Sequence, residues 1–334
     1  MATYLPVIWA ILIATAVGLY VILDGFDLGI GVLFPFFRKE ADRDAMMNSI
    51  APFWDGNETW LVLGGGGLWV AFPKAYAAIM PAFYLPIIVM LLALIFRGVS
   101  FEFRFVAKPR HGYWDLAFAA GSTIAGFAQG VILGGLIQGV TLVDGRFAGG
   151  PFDWATPFAL ICGLGLVAGY ALLGATWLIA RTEGGLALQA RRLARPLLLA
   201  VLAFIGLVSL WTPFCIERIA SRWFTTPNIY FLSPVPVVTG LVAWLAWRSI
   251  AGKAEILPFA ATIGLFLLCF LGLAISTFPY LVPPTLTVWD AAAVPESQIF
   301  TLIGVIFMLP IILGYVVFVY WTFRGKVGAG AGYH

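Results

Sequence analysis

The residues of this chain best suited to chemistry are carboxyls set in apolar sequence. Asp24 and Asp27 fall in Leu23-Asp24-Gly25-Phe26-Asp27-Leu28-Gly29, deep inside a hydrophobic run. An ionised side chain near the centre of a helix in lipid costs at least about 2.5–3.5 kcal/mol on insertion scales, so each should have a partner, a water cavity or a task. Their i, i+3 spacing, extended by Gly31 at i+7, places both on one helical face. That face is expected to look into protein. Asp55 and Glu58 follow in Trp54-Asp55-Gly56-Asn57-Glu58-Thr59-Trp60, and Arg97 stands alone in a later apolar run. Four potential anions against one guanidinium cannot all be neutralised by pairing. At least one carboxyl is therefore expected to change protonation state, and buried groups of that kind with an opening to water are what a proton relay requires.

Each of these residues also has a plain structural role to weigh. Asp55 and Glu58 have the Asp-x-x-Glu spacing of a capping box, so either could simply cap the helix that follows. Arg97 could snorkel to the interface or hold a neighbouring carbonyl. Asp24 and Asp27 lie too deep for capping unless Gly25 and Gly29 mark a broken helix. Glu102 and Asp115 are near enough to span ends to be read as solvated. Cys162, Cys215 and Cys269 occur singly in separate apolar stretches and read as small core residues. His111 and His334, the two histidines, both lie outside the apolar spans, so no haem or metal ligand set is legible.

The elements that must position these groups follow from composition. Of 334 residues, 62% are hydrophobic and 10% charged, and the mean hydropathy is +0.98. Soluble domains are roughly 45–50% apolar and about 25% charged, so a water-soluble fold is excluded. A net charge of +3 without a basic cluster gives no nucleic-acid surface. Spanning takes about 20 mostly apolar residues. Nine segments approach this, near 5–37, 50–72, 76–104, 114–143, 155–180, 196–217, 235–250, 256–280 and 298–323, with the seventh the shortest and flanked by prolines. The expected fold is all-α: a polytopic membrane bundle of about nine helices, forming a single integral membrane domain over 1–334. No extramembrane domain or linker is visible, and the longest connections, 181–195 and 281–297, are short.

Charge then reads as topology. Fourteen of the 19 basic residues fall on one side, among them Arg38, Lys39, Arg43, Arg104, Lys108, Arg110, Arg181 and Arg191; Lys74, Arg146, Arg218 and Arg222 fall on the other. By the positive-inside rule the richer side is cytoplasmic, which puts the N-terminus outside and the C-terminus inside. The first ten residues lack a basic region ahead of the apolar run and are expected to belong to a retained first helix. At about 1.5 Å per residue, Asp27 lies roughly 15 Å and Asp24 roughly 20 Å from the cytoplasmic end, with Asp55, Glu58 and Arg97 roughly 8–12 Å in. Three consecutive spans with short connections should be neighbours. The expectation is one ionisable cluster in the cytoplasmic half, at the head of a proton-uptake path. Glycines such as Gly64 to Gly67, Gly130, Gly134, Gly163 and Gly169 suit close helix packing and not a phosphate loop, since no Lys-Ser/Thr follows them.

Asp24-Gly25-Phe26-Asp27-Leu28-Gly29-Ile30-Gly31, Asn48-Ser49-Ile50-Ala51-Pro52-Phe53-Trp54-Asp55-Gly56-Asn57-Glu58-Thr59-Trp60, and Phe96-Arg97 with Phe101-Glu102-Phe103-Arg104 together resemble subunit II of the cytochrome bd quinol oxidases. The motifs are long and specific over about residues 5–110; Glu58 beside Asn57 looks closer to the cyanide-insensitive branch. The resemblance implies a prokaryotic cytoplasmic (inner) membrane protein paired with a subunit I that carries two haems b, haem d and the quinol site. It implies a complex that oxidises quinol, reduces dioxygen to water and draws protons from the cytoplasm, with no redox cofactor in this chain. Asp27 and Asp55 match the family's proposed proton-path carboxylates, with Asp24 and Arg97 their close associates. A small single-span subunit and a lipid or structural quinone are further expected partners. Two other classes stay open on the residues themselves: a proton-coupled secondary transporter, and a purely structural partner whose acids are locked in ion pairs.

Overall fold

Long apolar runs give this chain helices, and proline, glycine and charged residues set their ends. The computed structural model describes residues 3–107 and 111–327. Lys108, Arg110 and His334, named above, lie outside the described residues. In chain order the elements are α1 (Leu5–Leu33), α2 (Glu40–Asn48), α3 (Trp54–Ala71), α4 (Pro73–Ala82), α5 (Tyr84–Val106), α6 (Gly112–Gln138), the hairpin β1 (Leu142–Val143) and β2 (Arg146–Phe147), then α7 (Pro157–Arg181), α8 (Gly184–Cys215), α9 (Glu217–Phe224), α10 (Asn228–Leu232), α11 (Pro234–Ala251) and α12 (Leu257–Thr277). A second hairpin, β3 (Tyr280–Val282) and β4 (Leu286–Thr287), precedes α13 (Pro295–Thr322). Proline stands in the first turn of α1, α4, α7, α11, α12 and α13, where its missing N–H breaks no helical hydrogen bond. Thr156 caps α7 by accepting from the Ala159 N–H at 3.1 Å.

Among the described residues, eight helices are long and apolar enough to cross a membrane. The helix at the expected second span, α3, is not one of them: its 18 residues carry Asp55, Asn57 and Glu58 near the start and include five glycines. It nonetheless runs antiparallel along α1, where Gly64 faces Val17 and Gly67 faces Ile13. Three expected boundaries are corrected. The third span is broken at Phe83 into α4 and α5. The fourth stops at Gln138, where Gly139 takes a φ of +108° that an L side chain rarely adopts, and a hairpin follows. The sixth begins at Gly184, with Pro196 inside the helix, so most of the connection 181–195 is helical.

Hydrogen bonds gather the connections at two ends. At one, Gln189 donates to the Phe36 carbonyl, Arg191 to the carbonyls of Ser249, Ile250, Gly252 and Ala254, and the Val327 N–H to Arg181. At the other, Trp289 donates to the Thr3 carbonyl and Lys74 to that of Asp290, while the Ala293 N–H donates to Ala71. The core lies between α1, α5, α6, α7, α8 and α12, with Phe26 stacked on Trp177 at 4.2 Å. Close approach of α1 to α7 depends on facing glycines: a Cβ on Gly29 would overlap the Tyr170 backbone carbonyl, and one on Gly174 would meet the Gly29 backbone at 2.5 Å.

Candidate functional site

Four of the five predicted ionisable residues meet between α1, α3 and α5. Arg97 reaches from α5 to place Nη1 2.7 Å from Asp24 Oδ1 and 3.6 Å from Glu58 Oε2, with Nη2 4.0 Å from Asp27 Oδ2. Asp24, Asp27 and Arg97 are fully buried, whereas the Glu58 side chain keeps 28% of its surface. Glu58 is thus the member of this group that communicates with the outside of the fold. Trp54 closes the cluster on the side of the basic end, 5.9 Å over the Arg97 guanidinium and stacked on Phe101 at 4.7 Å. The Arg97 backbone can sit close to α6 because residue 121 is glycine; a Cβ there would meet the Ala93 carbonyl at 2.6 Å. Neither Asp24 oxygen, nor Asp27 Oδ1, nor any guanidinium nitrogen of Arg97 has an aligned hydrogen bond from a described residue. One cation thus faces three carboxyls with few aligned hydrogen bonds among them.

Asp55 is not brought into this group. It lies exposed on the rim of α3, one turn ahead of Glu58, and forms no ion pair among the described residues. The capping-box reading of Asp55 and Glu58 also fails: the N-cap is Phe53 and no side chain caps α3. Arg97 does not snorkel, since it is wholly enclosed, and α1 continues unbroken through Gly25 and Gly29.

Two amide side chains extend the site. Asn57 Nδ2 donates to Asp27 Oδ2 at 2.8 Å and to the Leu23 carbonyl at 3.3 Å, while the Tyr320 hydroxyl of α13 donates to Asn57 Oδ1 at 3.0 Å. Gln129 of α6 bridges the hydroxyls of Tyr20 and Tyr170, each at 2.7 Å. Tyr20 precedes Asp24 by one turn, on the same face of α1. These partners come from distant elements. The sequence held one signal for them, polar side chains in otherwise apolar helices.

A second ionic group, which sequence reasoning missed, lies at the basic end. Asp115, read above as solvated, is buried and accepts from Arg104 Nε at 2.6 Å and Arg43 Nη1 at 2.9 Å. Arg104 also pairs with Asp44, and His111 lies 3.2 Å from Asp115 and 3.3 Å from Glu40. This clasp joins α2 to α5 and α6. Glu102 is exposed, as expected. Among the described residues no group of three or more His, Cys, Asp and Glu side chains could hold a metal ion.

The arrangement is similar to known proteins along nearly its whole length. The family model for cytochrome bd terminal oxidase subunit II matches residues 5–323. The cytochrome bd-I ubiquinol oxidase subunit 2 of Escherichia coli (strain K12) is 30% identical, the alignment covering 96% of this chain and 94% of that one. The cytochrome bd ubiquinol oxidase subunit 2 of Bacillus subtilis (strain 168) is 31% identical, with 96% of each covered. In structure, a chain of the bd oxidase from Geobacillus thermodenitrificans superposes with a TM-score of 0.78 at 17% identity, over 96% of this chain and 98% of that one.

Proposed function

The chain belongs to the cytochrome bd terminal oxidase subunit II family, and from that premise we propose that its buried acids carry protons from the cytoplasm toward the oxygen-reducing centre of the complex. The protein is one subunit of a quinol-oxidising oxidoreductase and a multi-pass protein of the inner membrane, with a subunit I as its partner. Following the family resemblance, the two haems b and haem d belong to subunit I. The whole chain acts as a single membrane domain of nine crossings, α3 included, with the basic end in the cytoplasm.

The observation that carries this reading is the graded burial around Arg97: Asp55 exposed, Glu58 half-buried and 3.6 Å from the guanidinium, Asp24 and Asp27 fully enclosed beyond it. A proton arriving at Glu58 meets, 3.6 Å away, a cation that also faces two further acceptors, Asp24 and Asp27. Polar atoms without aligned protein partners leave valences for water, the medium that links carboxyls too far apart for direct transfer. With Arg97 paired to Asp24, a proton on Asp27 leaves the enclosed group neutral, so protonation there strands no charge in low dielectric. Family membership argues against a stand-alone transporter. The 2.7 Å contact between Arg97 and Asp24 favours one competing reading, a fixed ion pair that merely fastens α1 to α5.

The test is Asp27→Asn and Glu58→Gln in the assembled complex. Quinol-driven oxygen consumption, and proton uptake from the inner side of proteoliposomes, are expected to fall together by roughly ten- to a hundredfold while haem absorption stays unchanged. Normal turnover at normal haem content in both variants would reject the path and leave the ion-pair reading.

A further inference from the structure

Asn57 has its orientation fixed by its surroundings. A peptide carbonyl can only accept a hydrogen bond, so the group facing the Leu23 carbonyl at 3.3 Å must be the amide nitrogen. The amide oxygen then faces Tyr320, whose hydroxyl must donate, at 3.0 Å. The second hydrogen of the same nitrogen goes to Asp27 Oδ2 at 2.8 Å. Gln129 differs, because it lies between two hydroxyls and satisfies them equally well either way round. Asp27 therefore receives a donor of one fixed polarity on one oxygen, while its other oxygen, Oδ1, is fully buried with no partner among the described residues.

Tyr320 is placed for this by α13, a helix with very little buried surface: Gln298, near its start, is its one fully buried residue among those described. Polar contacts fasten it at both ends, and Trp9 of α1 donates to the Gln298 carbonyl at 3.2 Å. Gln298 donates to the Ala71 carbonyl near one end of the bundle, and Tyr320 reaches Asn57 near the other, its ring stacked on Phe53 at 4.4 Å.

We propose that Asn57 and Tyr320 are positioning residues for proton exchange at Asp27: they commit Oδ2 to accepting a hydrogen bond, so that Oδ1 takes and gives up the proton. This rests on the reading of Asp27 as a proton-path group. In the step itself one O–H bond breaks on the Glu58 carboxylic acid and one forms on Asp27 Oδ1, through intervening water, and no electrons move. The charged groups facing Asp27 are Asp24 of its own helix, Glu58 of α3 and Arg97 of α5, and the pair adds no charge to them.

Redox-difference infrared spectra of the holo-complex test the proposal. Asp27→Asn should remove a carboxylic-acid carbonyl band. Tyr320→Phe, which keeps the ring, and Asn57→Leu should each move that band and slow turnover about three- to tenfold, the effect of one lost hydrogen bond, with haem absorption unchanged. A band lost in Asp27→Asn but unmoved in both other variants would overturn the positioning role alone. No band change and full turnover in Asp27→Asn would overturn the proton path beneath it. Should Tyr320→Phe fail to assemble, 3-fluorotyrosine at position 320 keeps the fold and strengthens the donor; the band must shift, and a band that stays in place rejects the proposal.

Discussion

Arg97 lies 2.7 Å from Asp24, 3.6 Å from Glu58 and 4.0 Å from Asp27, so one guanidinium serves three carboxyls unequally. Removing a single member of a buried pair leaves the other charge without compensation, a loss on the order of 3–5 kcal/mol, whereas removing both is far milder. Arg97→Gln is accordingly expected to lower the thermal midpoint of the complex more than Asp24→Asn does. The double variant should recover part of the loss. Strictly additive midpoints across this cycle would show that the two groups are not coupled. The same scale explains a residue that its sequence position misplaces. Asp115 stands in the first turn of α6, where a sequence suggests water, yet Arg43 and Arg104 enclose it. Both arginines come from other helices, and nothing local to Asp115 announces them.

At the scale of elements, α2 is short and polar and would not be a stable helix alone. The clasp of Arg43, Asp44, Arg104 and Asp115 fixes it to α5 and α6, at the end of the bundle that the proposed path opens to. Asp115→Asn weakens two charge-assisted hydrogen bonds, together worth about 1.5–3 kcal/mol. It should raise protease cleavage between residues 38 and 50 by roughly tenfold or more without changing haem content. An unchanged cleavage rate would mean that packing of Met46 and Met47, both buried, holds α2 by itself. The break at Phe83 was open to reading: Pro81 and Pro86 flank it, and the residue before a proline resists helical geometry. Apolar content alone hid it, since hydropathy does not sense a local change of direction.

For the molecule as a whole, the basic connections collect at one end through the hydrogen bonds of Gln189 and Arg191, and the sparse ones at the other through Lys74 and Trp289. Single cysteines test which end faces the cytoplasm, in a background with Cys162, Cys215 and Cys269 replaced. Positions 42 and 185 should react with a membrane-impermeant reagent only after the cells are opened, and positions 144 and 290 in intact cells. The reverse pattern would place the mouth of the path outside and end the case for cytoplasmic protons.

The sequence by itself determined the class of the fold, because a membrane demands long apolar runs and tolerates few charges. It also singled out five ionisable groups in or beside such runs, where a charge is costly to place. What only the tertiary structure decided is which of them meet. Asp24 and Asp27 share the i, i+3 spacing of Asp55 and Glu58, yet the first two are both enclosed and the second pair is divided. At 3.6 residues per turn, a three-residue step leaves side chains about 60° apart around the helix. On α1, packed by α3, α6, α7, α12 and α13, every direction around the site is interior. On α3, whose broadest contact is with α1, the same 60° separates Glu58, turned toward Arg97, from Asp55 at the rim. Spacing is a property of one helix, whereas burial depends on how many neighbours surround it.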